Sequence, residues 1–283
     1  MKDGKQQRVS ILGGGWLGKP MAKTLEEKGY AINLSTASDE NYKRLKEEGW
    51  NAFQIQVYAE AIKGEIQRFL EADILIVNIT PSRAEREKEQ FASLMPYLEQ
   101  SSVQKVLFIS STSVYPFLNR MVTEDEGVEL LDHPLYKSEQ LFFQNPAFQT
   151  TIVRMAGLIG GRRHPGRFFA KRLDANNQPK GGLIKNSTAF VNLIHLDDCL
   201  QVIEQILEQN AWQEVFNACA DAHPSKGEFY TQATASLGLE LPVCAEQGEP
   251  YFKIIDNSKV KAHLGISWIH ANLMDLLEPE SWK

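Results

Sequence analysis

A chain of 283 residues can bury a substantial core, either as one large domain or as a large domain with a smaller lobe. It is 43% hydrophobic and 23% charged, with no low-complexity tract, the profile of an ordinary globular protein. A net charge of -6 lacks the basic face that general nucleic-acid binding needs, and no apolar run reaches the roughly 18 residues of a membrane span.

The opening residues 1–8 have no apolar stretch and read as no secretory signal. Cys199, Cys219 and Cys244 form no CxxC pair, so they read as buried, reduced thiols of a cytoplasmic protein. The six histidines offer no i,i+3 or i,i+4 pair, and no metal site is predicted.

Short β-branched runs alternate with longer periodic ones, which predicts an α/β fold: a doubly wound parallel sheet of Rossmann type. Residues 8–12 form a first strand. A helix over 19–28 carries Met21, Ala22 and Leu25 on one stripe and stops at Gly29. A second strand covers 31–35, a short helix 41–48, and a third strand 52–57. The near-continuous apolar run at 73–79 fits a strand covered on both faces.

A charged helix follows from about Arg83, with Phe91, Leu94, Met95 and Leu98 facing inward. Strands five and six fall at 106–110 and 151–154, separated by an acidic loop and a helix holding Tyr136, Leu141 and Phe142. Asp197 or Asp198 caps a helix with an apolar stripe from Cys199 to Leu207, and 215–218 is a last strand. This predicts a dinucleotide-binding domain over 1–158, rejoined by 191–221, and a mainly substrate-binding lobe over 159–283. That lobe is expected over the C-terminal edge of the sheet, where such sheets bind ligands.

Gly13-Gly-Gly-Trp-Leu-Gly18 satisfies GxGxxG directly after a strand and opens a helix. The first glycine permits the turn, the second lets backbone approach a pyrophosphate, and the third lets helix pack on strand. The helix N-terminus then turns N–H groups and partial positive charge toward phosphate. Gly13, Gly15, Trp16, Leu17 and Gly18 are therefore candidate cofactor residues. The same run nearly spells a P-loop, Gly13-x-x-x-x-Gly18-Lys19, but Pro20 stands where Ser or Thr must hold Mg²⁺. At the end of the second strand no carboxylate precedes Asp39. Thr36 and its small neighbours leave room for a 2′-phosphate that Lys43 or Arg44 can neutralise, which tilts the cofactor from NAD toward NADP.

Phe108-Ile-Ser-Ser-Thr-Ser-Val-Tyr-Pro116 resembles the strand-five signature of extended short-chain dehydrogenases/reductases, the group of NAD-dependent nucleotide-sugar epimerases and dehydratases. The likeness extends through Val122-Thr-Glu-Asp125, Ile152–Gly160 with its Gly161-Arg-Arg-His-Pro165 continuation, Val191–Asp198, Glu214-Val-Phe-Asn217, and Asn257-Ser-Lys with Leu264-Gly265. It covers nearly the whole chain.

The resemblance implies that a Ser or Thr on strand five and a Tyr-x-x-x-Lys on the next helix carry the chemistry. It places these roles at Ser111, with Thr112 nearby, and at Tyr136, while Gln140 stands at the lysine position. It also places Thr80, Ser110 and Tyr136 beside the cofactor. Glutamine can bond a ribose but brings no charge to favour a phenolate. Lys137 projects about 100° away on the helix and is a poor substitute.

The glycine loop departs too, since Leu12 stands where extended members carry a further glycine. The combination resembles the atypical branch that includes the YeeZ-like, epimerase-like proteins. Two readings stay open: an NAD(P)-dependent epimerase, dehydratase or reductase acting on a nucleotide-sugar-like or other small hydroxylated molecule, and a cofactor binder without turnover. Arg162, Arg163 and Arg167, with Lys171 and Arg172, form either a solvated face or a clamp for a substrate phosphate or carboxylate. His195 beside Asp197 reads first as structural. The resemblance implies a small-molecule partner and a homodimer paired through the helices flanking the sheet.

Overall fold

The computed structural model describes residues 6–79, 91–173, 179–245 and 251–277. Its centre is a seven-stranded sheet: β1 (Arg8–Leu12), β2 (Ala31–Thr36), β3 (Asn51–Gln54), β4 (Ile74–Val77), β5 (Lys105–Ser111), β6 (Gln149–Met155) and β7 (Val215–Ala218), in the order β3-β2-β1-β4-β5-β6-β7. Parallel registers pair Val9 with Ile32 and Ile74, Leu34 with Ala52, and Val77 with Phe108. The α/β expectation of a doubly wound parallel sheet is met. Strand order reverses between β1 and β4, and such a switch point opens a crevice at the strands' carboxyl ends.

All four residues of β4 are buried, as its unbroken apolar run requires. Helix α1 (Gly18–Glu27) buries Met21, Ala22 and Leu25, and Gly29, at φ +90°, lets the chain turn away. Helix α2 (Asp39–Glu47) starts earlier than expected because the Ser38 side chain caps it, accepting from the Asn41 amide.

The predicted third strand over 52–57 is two elements. β3 ends at Gln54, and Gln56–Val57 then pairs antiparallel with Ile62–Lys63. A Cβ at Gly64 would lie 2.0 Å from the Gln54 carbonyl, so backbone passes backbone there. The start of the charged helix at Arg83 lies outside the described residues. Its inward residues Phe91, Leu94, Met95 and Leu98 are buried around the short helices Ala92–Leu94 and α3 (Met95–Glu99).

The chain divides into two compact units. One comprises Met1–Val114, Glu129–Arg154 and Ile203–Phe216; the other comprises Tyr115–Val128, Met155–Val202 and Asn217–Lys283. In the first, Phe91, Phe108 and Phe142 pack with ring centroids 4.9–5.7 Å apart, fixing helix α4 (Pro134–Phe143) on β5. In the second, Ile159, Ile184, Leu193, Phe229, Ala233 and Leu273 share a separate core. Helix α5 (Leu196–Glu208) holds Asp197 and Asp198 in its first turn rather than at its cap. The Asp198 carboxylate instead accepts from the amides of Ile269 and His270, 2.6 and 3.2 Å away. No helix among the described residues is long and apolar enough to cross a membrane.

Candidate functional site

The glycine loop leaves β1 at the switch point and is held from both sides. Ser35 on β2 accepts from the Gly13 amide through its hydroxyl (3.1 Å) and from the Gly14 amide through its carbonyl (2.6 Å). Asn78, just beyond β4, donates to the Gly13 carbonyl at 3.0 Å.

The three motif glycines then differ. Gly13 sits at φ +114°, where a Cβ would meet the Asn78 carbonyl oxygen at 2.5 Å. A Cβ on Gly18 would lie 2.0 Å from the Gly13 carbonyl oxygen. Around Gly15 there is nothing within 4 Å, so its backbone faces open space beside the start of α1. Helix α1 has Leu17 as its N-cap, with no side-chain cap and no acid in its first turn. Its partial positive end is thus left to an incoming anion. This cradle fits a dinucleotide pyrophosphate. Lys19, the would-be P-loop lysine, pairs with Glu48 at 2.6 Å instead.

Leu17 is buried and Trp16 half-buried. Thr36 ends β2, and the Ser38 amide donates to its hydroxyl at 3.4 Å. Of the two cations expected nearby, Lys43 pairs with Asp39 at 2.8 Å and Arg44 donates to the Asn41 side chain at 2.6 Å. Thr80 lies outside the described residues. Asn78 and Ser35, which hold the loop, were missed by sequence reasoning, although a polar serine within an apolar strand was a usable signal.

At the end of β5 the candidates separate by environment. Ser111 is half-buried, with its hydroxyl accepting from the Ser113 amide at 3.1 Å. Thr112 is buried in the short turn Thr112–Val114. Ser110 points inward and donates to Glu139 on α4, tying strand to helix.

Tyr136 is half-buried on α4, which begins with His133 accepting from the Leu135 amide and Pro134 in the first turn. Burial pushes the Tyr136 phenol above its ordinary value and Glu129 pushes the same way, while the Arg154 guanidinium, 5.9 Å from the ring centroid, pulls it down. The net direction is upward. Gln140, one helical turn along, accepts from Gln144 at 2.9 Å.

Arg154 is the buried cation of this region. It bonds Glu139 through Nε and Nη2, the latter at 2.7 Å, and bonds Glu129 through Nη1. Arg154 and Glu139 are 2% and 0% exposed. Burial pushes the Glu139 carboxyl up, against the pull of Arg154 and Ser110. Removing one partner of such a group leaves uncompensated buried charge, so Arg154→Met is expected to cost about 3–5 kcal/mol, read by chemical denaturation. A loss below about 1 kcal/mol, the worth of an exposed pair, would show that no buried ionic link exists there.

In the second unit, Arg162, Arg163 and Arg167 are all exposed around a turn in which the Arg163 amide donates to the Gly160 carbonyl. His164 between them caps the turn Pro165–Arg167. Lys171 pairs with Glu240, and the side chain of Arg172 lies outside the described ones. Lys253, not singled out from the sequence, is buried and donates to the Tyr115 carbonyl at 2.5 Å. Burial lowers its ammonium to about 8.

The profile of the NAD-binding domain of 6-phosphogluconate dehydrogenase matches residues 8–140. Over 274 residues the chain is 29% identical to protein YeeZ of Escherichia coli K12, covering 93% of this chain and 96% of that one. A UDP-glucuronic acid 4-epimerase of Bacillus cereus, solved with NAD and a fluorinated UDP-sugar, superposes with a TM-score of 0.74 at 17% identity, over 97% of this chain and 98% of the other. A short-chain dehydrogenase/reductase superfamily protein of Agrobacterium tumefaciens with bound NAD gives 0.69 at 16% identity, over 97% and 95%.

The chain shares the fold of these two structures. The epimerase-like expectation drawn from strand five onward is met at that level. In this fold the glycine loop, the end of β5 and the face of α4 bearing Tyr136 all belong to the first unit.

Proposed function

We propose that the chain is an NAD(P)-dependent epimerase, dehydratase or reductase acting on a nucleotide-sugar-like or other small hydroxylated substrate. The observation that carries this reading is the open space at Gly15, flanked by two glycines that packing forbids to carry a side chain. A bound nicotinamide supplies hydride exchange. Gly13–Gly18 and the start of α1 hold the pyrophosphate. Ser111 or Thr112 bonds the reacting oxygen, Tyr136 exchanges its proton, and Gln140 bonds a ribose hydroxyl. Arg162, Arg163 and Arg167 take the anionic group of the substrate through paired guanidinium contacts.

The alternative is a cofactor binder without turnover. It is favoured by Gln140 in the lysine position, bonded to Gln144, and by a phenol whose surroundings raise its pKa.

Thermal denaturation with NAD(H), NADP(H), ATP–Mg²⁺ and several nucleotide sugars tests the reading. A ligand at a hundred times its dissociation constant adds about 2.7 kcal/mol to stability. A shift with ATP–Mg²⁺ and none with the four dinucleotides would overturn it. The hydroxyls at the end of β2 support a preference for NADP(H). Arg44→Ala is accordingly expected to weaken NADPH roughly tenfold or more, the worth of a charge-assisted hydrogen bond, and to leave NADH unchanged. Equal losses for both would show that Arg44 does not meet a 2′-phosphate.

A further inference from the structure

Outside the proposed cofactor site, the second unit gathers two histidines and a carboxylate from distant parts of the sequence. His195 ends the strand Leu193–His195, Asp197 sits in the first turn of α5, and His270 lies in a turn 73 residues further on. Their ligand atoms all fall within 4.8 Å of one another. His195 Nδ1 is 3.3 Å and His270 Nε2 2.8 Å from Asp197 Oδ2, and the two rings meet edge to face with centroids 4.1 Å apart.

The arrangement is braced. Asp198 receives the amides of both Ile269 and His270, which pins the far turn beside α5. Gly160 passes so close that a Cβ there would lie 2.9 Å from His195 Nε2, which fixes the ring from the other side.

The two neighbours of His195 Nδ1 ask it for opposite roles. His195 Nδ1 faces the Asp197 amide at 3.3 Å and the Asp197 carboxylate at the same distance. One ring nitrogen cannot accept from the amide and donate to the carboxylate at once. If it accepts, its lone pair confronts a carboxylate oxygen. A cation bound by Nδ1, Oδ2 and the His270 nitrogen would take the Nδ1 lone pair in place of the long amide contact and turn that repulsion into shared ligation.

We infer that His195, Asp197 and His270 form a binding site for a borderline divalent transition-metal ion such as Zn²⁺. Two imidazoles and one carboxylate suit such ions, whereas Mg²⁺ and Ca²⁺ want oxygen shells. Ligand bonds of about 2.0–2.2 Å in tetrahedral array put donor atoms roughly 3.3–3.5 Å apart. The His195–Asp197 separation has this value already, and the His270–Asp197 edge needs to open by only about half an ångström. His195 is nearly buried, while the Asp197 side chain is half exposed, which leaves a side for water as fourth ligand. The ion would clip the start of α5 to the 269–270 turn.

The test uses tag-free, chelator-stripped full-length protein titrated with CoCl₂. The expected result is the visible d–d absorption of tetrahedral Co²⁺, saturating at one ion per chain and abolished by ZnCl₂, with a higher melting temperature in Zn²⁺. His270→Ala and Asp197→Asn, checked for folding by circular dichroism, should each weaken Co²⁺ by at least about a hundredfold, more than loss of a partner outside the ligand set costs. His263→Ala, exposed on the helix Ser258–Leu264, should leave the titration unchanged. The inference fails if stripped wild-type protein gives no such band, or if the band survives in both His270→Ala and Asp197→Asn.

Discussion

Gly15→Val is expected to fold with an unchanged melting temperature and to lose its stabilisation by NAD(H) and NADP(H). No atom lies within 4 Å of the place its Cβ would take, and its backbone is not in the left-handed region, so the free protein accommodates the branch without strain. The branch then fills the volume that a pyrophosphate needs against the backbone. Wild type at a hundred times its dissociation constant gains about 2.7 kcal/mol and the variant essentially none.

Gly18→Val is the contrasting case. There the new Cβ would sit 2.0 Å from the Gly13 carbonyl, and the loss should appear in stability before any ligand is added. Retained affinity in Gly15→Val would mean that phosphates bind elsewhere, and the proposed function would lose its main support.

The second large effect concerns Tyr136. Burial and Glu129 raise its phenol above the ordinary value near 10, so the phenolate is scarce at neutral pH and grows as pH rises toward the pKa. If Tyr136 is the acid–base group, turnover is slow and climbs with pH through the alkaline range, about tenfold per unit. Gln140→Lys places a cation one helical turn from the phenol. A nearby positive charge favours the anion, so the profile should move toward neutrality by about one unit, a tenfold gain at neutral pH. Tyr136→Phe should abolish turnover in both backgrounds. Rates and pH dependence untouched by either substitution would make Tyr136 a packing residue and assign the chemistry to another group, whereas cofactor binding with no turnover in any of these proteins would leave the reading without turnover.

What the sequence determined by itself was local or periodic. The apolar runs of β1 and β4, the stripe of α1, its stop at Gly29 and the spacing of Gly13, Gly15 and Gly18 each follow from a few consecutive residues, because helix and strand periods and glycine's conformational freedom act over one or two turns. Together they gave the α/β class and the cofactor loop.

Tertiary structure decided whatever depends on residues far apart in the chain. Ser35 and Asn78 brace the Gly13 turn from two different strands. Arg154 on β6 neutralises carboxylates on α4 and in the loop before it, which left the helix stripe silent about Glu139 and Ser110. The histidines looked scattered because ligand spacing was sought within one helix, whereas His270 reaches His195 and Asp197 only through the turn that Asp198 holds. Burial, which sets the direction of the Tyr136 and Lys253 shifts, is likewise a property of the packed chain and of no segment alone.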